Sequence, residues 1–91
     1  MNIKIFDNGG KTFDRYTVIY LDTPYYEGAF LYSENIYIYE ARGMSKNPYH
    51  PQGFGQMCAA QLGPHLGSEI GFDDLPEDCQ RLVRSDLGEG I

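Results

Sequence analysis

The side chains in the first part of the chain sort into two faces with the two-residue period of a β-strand. Residues 15–21 show this pattern most clearly. One face carries Tyr16, Val18 and Tyr20, and the other carries Thr17, Ile19 and Leu21. Because apolar side chains occur on both faces, we expect an inner strand that is covered on both sides for part of its length. A shorter strand is predicted before it, over Asn2–Phe6, with a turn at residues 7–10.

Residues Ile36–Arg42 hold the densest run of β-branched and aromatic side chains, and we interpret them as a central strand. The preceding segment Ala29–Ser33 is predicted as a strand that pairs with it, because only Glu34 and Asn35 separate the two. Four strands with short connections favour an antiparallel meander.

Segment 43–53 has no period, and its two prolines and two glycines predict a loop. Long ordered loops often carry function. After it, Phe54–Leu62 is predicted as a short helix, because its apolar residues recur at three- and four-residue steps. Gly67–Phe72 is predicted as a short extended piece.

The last helix is the strongest prediction. Its apolar stripe consists of Leu75, Cys79, Leu82, Val83 and Leu87. Asp74 is placed as N-cap with Glu77 three residues later, Pro76 lies in the first turn, and Gly88 ends the helix. The predicted fold is therefore α+β in a single domain over 1–91: a small antiparallel sheet of about four strands, with a short helix and an amphipathic C-terminal helix packed on it.

Charge is unevenly distributed along the 91 residues, whose net charge is −6. Residues 1–68 carry six acids and five bases, whereas residues 69–91 carry seven acids and two bases. An acidic surface repels phosphate, so direct binding to nucleic acid is not expected. Two interpretations of the acidic region stay open. It is a solvated face that keeps the protein soluble, or it faces a basic surface on another macromolecule.

The residue types for thiol or metal chemistry are present, but their spacing is not. Cys58, Cys79, His50 and His65 contain no Cys-x-x-Cys or similar ligand pair. Nothing in the spacing enforces contact between a thiol and an imidazole. We therefore predict buried, structural cysteines, no metal, no cofactor and no enzymatic activity.

The Asp-Asn-Gly-Gly sequence at 7–10, followed by Lys11 and Thr12, superficially suggests a phosphate loop. It lies between predicted strands, however, and does not precede a helix. A tight turn accounts for it better, since Asn and Gly accept positive φ.

Aromatic residues in the predicted loops suggest an interaction surface. Tyrosine offers a large contact area, few rotatable bonds and a polar tip, which suits protein interfaces. For Tyr49 and Phe54 a second interpretation is equally open, in which the long loop folds back and both rings fill the core. The predicted partner-binding residues are Tyr25, Tyr26, Tyr49, Asp73, Asp74, Glu77, Asp78 and Asp86.

Three segments resemble small proteins encoded by bacteriophages and prophages. They are the opening at 7–18 (DNGGKTFDRYTV), the loop motifs at 44–48 (MSKNP) and 51–54 (PQGF), and the closing motifs at 67–70 (GSEI) and 74–78 (DLPED). The resemblance covers most of the chain and implies a phage origin. It implies no catalytic residues.

Small acidic phage proteins often block host machinery, and anti-CRISPR proteins are similar in size and charge. The resemblance thus implies a monomeric or dimeric inhibitor in the cytoplasm of the infected bacterium, with a host protein or ribonucleoprotein, such as a CRISPR effector complex, as partner. Neither a signal peptide nor an apolar run of membrane-spanning length was found, which agrees with this location. The alternatives are an oligomerising phage accessory or structural protein, and a small enzyme that uses Cys58 with His50 or His65.

Overall fold

The computed structural model describes residues 2–24 and 38–88. Within these ranges the chain forms five strands, one α-helix and two short 3₁₀ turns. The strands are β1 (Ile3–Asp7), β2 (Tyr16–Pro24), β3 (Ile38–Met44), β4 (Gly55–Gln61) and β5 (Ser68–Ile70). The helix α1 spans Glu77–Asp86, and the 3₁₀ turns span Pro64–Leu66 and Phe72–Asp74.

All neighbouring strands are antiparallel, in the order β4-β3-β2-β1-β5. The predicted α+β class is confirmed. The middle position belongs to β2, and β3 lies between β2 and β4. β3 contains the described part of the predicted strand Ile36–Arg42 and continues through Met44, so the strand takes the first two residues of the predicted loop 43–53. The strand predicted over Ala29–Ser33 lies outside the described residues.

The two faces of β2 contribute to two apolar clusters, as its sequence predicts. The larger cluster lies between the sheet and α1 and contains Ile5, Tyr16, Val18, Tyr20, Met44, Leu75, Cys79 and Val83. The smaller cluster, on the other face, contains Phe6, Ile19 and Ala41. The partly buried residues that pack against it are Leu21, Tyr39, Ala60, Leu62 and Leu66. Apolar burial on both faces of β2 therefore anchors the sheet.

The helix predicted over Phe54–Leu62 is wrong. This segment contains β4, which pairs with β3 from Ile38↔Gln61 to Met44↔Gly55. The N–H and C=O groups of this segment form hydrogen bonds with β3, and they therefore do not form the bonds of a helix. The apolar residues at three- and four-residue steps consequently do not make a buried helical stripe. Residues 45–54 are thus the connection of a β3–β4 hairpin.

Helix α1 begins later than predicted, and Asp74 is not its N-cap. Asp74 closes the preceding 3₁₀ turn, where its Oδ2 accepts a hydrogen bond from the Gly71 N–H at 2.9 Å. Pro76 occupies the cap position of α1, and Gly88 follows its end with φ of 78°. The predicted apolar stripe does face the sheet. No helix in the described ranges has the length and apolarity needed to cross a bilayer.

Candidate interaction surfaces

Four of the predicted partner-binding carboxylates lie together where α1 begins. Asp73, Asp74 and Glu77 are exposed and Asp78 is half-buried, and we call these four residues the acidic end. Negative charges at a helix N-terminus are favoured by the helix dipole. The acidic end thus has a structural role, and it also presents a negatively charged surface to solvent.

Asp86 lies apart from the acidic end, at the last residue of α1. Its side chain is 14% exposed, and it forms an ion pair with Arg42 of β3 whose Nε–Oδ2 distance is 2.5 Å. The Tyr20 hydroxyl also donates a hydrogen bond to the same carboxylate. Burial and this hydrogen bond raise the pKa of Tyr20, and the hydrogen bond to Asp86 raises the pKa of Arg42. The Asp86 carboxylate is therefore engaged within the fold.

Tyr49 lies beside α1 without entering the core. Its side chain is among the large exposed ones, at 51%. The Arg81 guanidinium carbon lies 5.3 Å from the centre of its ring, and Arg81 Nη2 lies 3.7 Å from Asp78 Oδ1. The interpretation in which Tyr49 fills the core is therefore wrong, and its use in an interface stays a prediction. Phe54 is half-buried, whereas Tyr25 and Tyr26 lie outside the described residues.

The loop between β3 and β4 is held at its base by Ser45. The Ser45 N–H donates to the Phe54 carbonyl at 2.7 Å, and the Phe54 N–H donates to Ser45 Oγ at 2.9 Å. The Ser45 carbonyl accepts a hydrogen bond from the Cys79 thiol of α1 at 3.3 Å. Ser45 thus closes the loop and attaches it to the helix.

A second surface was not anticipated from the sequence. A groove of about 620 Å³ lies between the turn after β1 and the β3–β4 loop, and we call it the basic groove. Its lining residues are Gly10, Lys11, Thr12, Phe13, Arg15, Ser45, Lys46, Asn47, His50, Gln52 and Gly53. Three of the seven Lys and Arg residues of the chain belong to this lining, and none of the lining residues is acidic.

The turn at residues 7–10 is a tight turn, as predicted. The Gly9 N–H donates to Asp7 Oδ1 at 2.8 Å, and the Gly10 and Lys11 N–H groups donate to Asn8 Oδ1 at 2.8 and 3.0 Å. Gly9 and Gly10 have φ of 75° and 88°. Because side chains already use these three N–H groups, the turn offers no backbone cradle for phosphate.

The two cysteines have different environments. Cys79 is fully buried, and burial raises the pKa of its thiol to about 11. Cys58 is exposed on β4, although partial desolvation raises its pKa. The buried environment predicted for Cys58 is therefore wrong, because residues 56–59 of β4 are all exposed and Cys58 is one of them. Among the described residues, no cluster of His, Cys, Asp and Glu is arranged to hold a metal. The absence of enzymatic activity stays a prediction.

The chain thus carries two surfaces of opposite charge, the acidic end and the basic groove. The β3–β4 loop contributes to both, since Tyr49 lies over Arg81 of α1 while Lys46 and His50 line the groove. Comparison of the chain with protein-family models, curated proteins and solved structures finds no match.

Proposed function

We propose that this chain is a phage-encoded inhibitor that acts by binding a host protein or ribonucleoprotein. The most concrete form of the proposal is an anti-CRISPR protein that binds a CRISPR effector complex and interferes with its recognition of nucleic acid. Binding takes place in the cytoplasm of the infected bacterium. The phage origin is supported by the resemblance of the three sequence segments described above.

The observation that carries the proposal is the acidic end with Tyr49 beside it. The four carboxylates lie within six residues, and the half-exposed Tyr49 ring is linked to them through Arg81 and Asp78. Tyrosine and arginine are enriched at protein interfaces, so the contact of Tyr49 with Arg81 suits an anchor for a partner. A surface that normally holds nucleic acid is basic, so the acidic end complements it and accelerates association.

The surface used differs from the one predicted from sequence in one respect. Asp86 is paired with Arg42 and its side chain is largely covered, so we assign it to stability. Tyr49, Asp73, Asp74, Glu77 and Asp78 remain the proposed contact residues, and a contribution from Tyr25 and Tyr26 stays a prediction.

The test is affinity capture of a purified CRISPR effector complex by the tagged chain, together with a phage-immunity assay. The triple variant Asp73→Lys, Asp74→Lys, Glu77→Lys reverses the charge of the acidic end. A triple variant with the same net charge, Asp22→Lys, Glu40→Lys, Glu69→Lys, is the matched control because these exposed carboxylates lie elsewhere.

Capture is expected for the native chain and the control, and loss of capture is expected for the acidic-end variant. In the immunity assay, cells that produce the native chain or the control should lose CRISPR immunity to phage. Cells that produce the acidic-end variant should keep it. If no effector complex is captured and phage immunity is unaffected, the anti-CRISPR proposal is wrong. If both triple variants lose binding equally, net charge and not the acidic end determines the interaction.

A specific observation also supports the oligomerising alternative. Within the sheet of the described residues, β4 is an edge strand without any charged residue, and Gln56, Met57, Cys58 and Ala59 are exposed on it. Uncharged edge strands readily pair with another chain. Light scattering after size exclusion would detect a dimer, and Ala59→Pro should return it to monomer. A monomer at high concentration would rule this candidate out.

A further inference from the structure

The basic groove holds positive charge that the fold does not neutralise. Among the ion pairs of the described residues, none involves Lys11 on the turn or Lys46 on the β3–β4 loop. Arg15 uses Nε and Nη2 to bind Asp7 at 2.8 and 3.0 Å, and within residues 2–24 and 38–88 its Nη1 makes no hydrogen bond. In a chain of net charge −6, this concentration of cations indicates attraction for an anion.

Two carboxylates, Asp7 and Asp14, lie close in the sequence to residues that line the groove, and both accept hydrogen bonds. Asp7 is neutralised by Arg15, which lowers the pKa of that carboxyl through their hydrogen bond. Asp14 accepts a hydrogen bond from the Thr12 hydroxyl at 2.6 Å, and it lies against Gly43 of β3, outside the lining of the groove. Asp14 keeps its negative charge because its partner is a neutral hydroxyl. Lys11 and Lys46 outnumber it, so the net charge that a ligand in the groove would meet stays positive.

His50 adds a hydrogen-bond donor on the loop side. The Gln52 N–H donates to His50 Nδ1 at 3.1 Å. In the neutral imidazole the proton must then sit on Nε2, so Nε2–H is free to donate to an acceptor. Asn47 and Gln52 contribute amide groups to the same lining.

Phe13 supplies an exposed aromatic face at the groove. Among the residues that the structure describes, it is the most exposed large apolar side chain, at 65%. Its turn is held by hydrogen bonds from Asn8 Nδ2 to Thr12 Oγ1 at 2.8 Å and from Thr12 to Asp14. An ordered, exposed phenyl ring next to cations is the arrangement in which a planar base stacks while its phosphates are neutralised. The volume of about 620 Å³ falls within the range of small-ligand sites.

We infer that the basic groove binds a free nucleoside polyphosphate. Lys11 and Lys46 neutralise the phosphates, Arg15 donates a hydrogen bond to them from Nη1, and Phe13 stacks on the base. A free nucleotide fits better than a nucleic-acid strand, because a long polyanion would extend from the groove across a chain of net charge −6. This site goes beyond the proposed inhibitor function, which uses the acidic end and does not depend on the groove.

The experiment is calorimetric titration of the intact chain at low salt with ATP, inorganic triphosphate and a short oligothymidylate as probes. Saturable ATP binding is expected. The variant Lys11→Ala, Lys46→Ala should weaken it by at least about tenfold, since each lysine loses a charge-assisted contact. Phe13→Ala should weaken ATP binding by at least about threefold and leave triphosphate binding unchanged, because only ATP carries a base that can stack.

Lys4→Ala is the matched control, because Lys4 lies on β1 and its partner is Glu69 at 3.9 Å. It should bind ATP as the native chain does. All of the substituted residues are exposed or half-buried. The melting temperature of each variant should therefore equal that of the native chain.

Four results would overturn the inference. They are the absence of saturable ATP binding, equal weakening by Lys4→Ala, triphosphate binding as tight as ATP binding, and oligothymidylate binding tighter than ATP binding. The third would remove the role of the base, and the fourth would identify a strand as the ligand. None of these results bears on the acidic end, so failure here is distinguishable from failure of the proposed function.

Discussion

Arg42 of β3 and Asp86 of α1 form a two-point ion pair, with Nε–Oδ2 and Nη2–Oδ1 distances of 2.5 Å each. Both side chains are 14% exposed. Tyr20 of β2 donates to the same carboxylate. The last residue of the helix is therefore tied to two neighbouring strands, which fixes how the C-terminal end of α1 lies on the sheet.

Asp86→Asn should destabilise the fold strongly. It leaves Arg42 largely covered without a counter-charge, and we expect a loss of about 2–3 kcal/mol in the free energy of unfolding. For a chain of this size the melting temperature should fall by about 10 °C or more. The control is Asp78→Asn, whose partner Arg81 is exposed and lies 3.7 Å away. With its interaction with the helix dipole included, it should cost at most about 1 kcal/mol. Equal losses in urea denaturation would contradict the assignment of Asp86 to stability.

Stability should decrease in alkaline solution because of Cys79. Burial, and to a lesser extent the charge of Asp78, raises the pKa of its thiol from 9.0 to about 11 in the folded state. The unfolded chain therefore releases this proton first as pH rises, which favours unfolding. The contribution of Cys79 is intact below pH 9 and is lost progressively as pH rises towards 11.

By pH 10 this effect amounts to about 1 kcal/mol. Urea denaturation at pH 8 and pH 10 should show a larger decrease for the native chain than for Cys79→Ala. Tyr16 and Tyr20 also have raised pKa values, but both proteins contain them, so their contribution cancels in the comparison. Identical pH dependence of the two proteins would show that Cys79 does not titrate as described.

Gly53→Ala should distort the β3–β4 loop. A Cβ at this position would lie 1.9 Å from the Asn47 carbonyl oxygen, so the backbone must shift. We expect a loss of about 2 kcal/mol or more in stability, with amide NMR shifts concentrated at residues 45–54. Gly71→Ala is the control, because its nearest neighbour is the flexible end of Asp74 at 3.3 Å. A loop unchanged by Gly53→Ala would contradict the described conformation.

Tyr49→Ala should leave the fold nearly intact. The side chain is half-exposed, and its stacking with Arg81 at an exposed site is worth about 0.5–1 kcal/mol. Thermal melting should therefore show a small change, in contrast to Val83→Ala, which removes fully buried atoms and should cost about 2 kcal/mol or more. Any loss of partner binding by Tyr49→Ala then reports a lost contact. A fall in melting temperature as large as that of Val83→Ala would place Tyr49 in the core instead.

Elements with a strong local period were predictable. The two-sided pattern of β2 and the apolar stripe of α1 both match the buried clusters, because each period is set by residues close together in the chain. Two predictions failed because contacts outside the local pattern decide the conformation. Phe54–Leu62 shows a weak helical period, but pairing with β3 makes it a strand. Asp74 resembles an N-cap, but its side chain bonds to Gly71 in a separate turn.

The sequence by itself determined the α+β class, the two-sided burial of β2, the tight turn after β1 and the clustering of acids at the start of α1. Only the tertiary structure decided that Asp86 pairs with Arg42, that Lys11 and Lys46 line one groove, and that Tyr49 lies over Arg81. The reason is physical. Periods and turn preferences arise between near neighbours, whereas charge pairing and grooves depend on which distant segments the packed sheet and helix bring together.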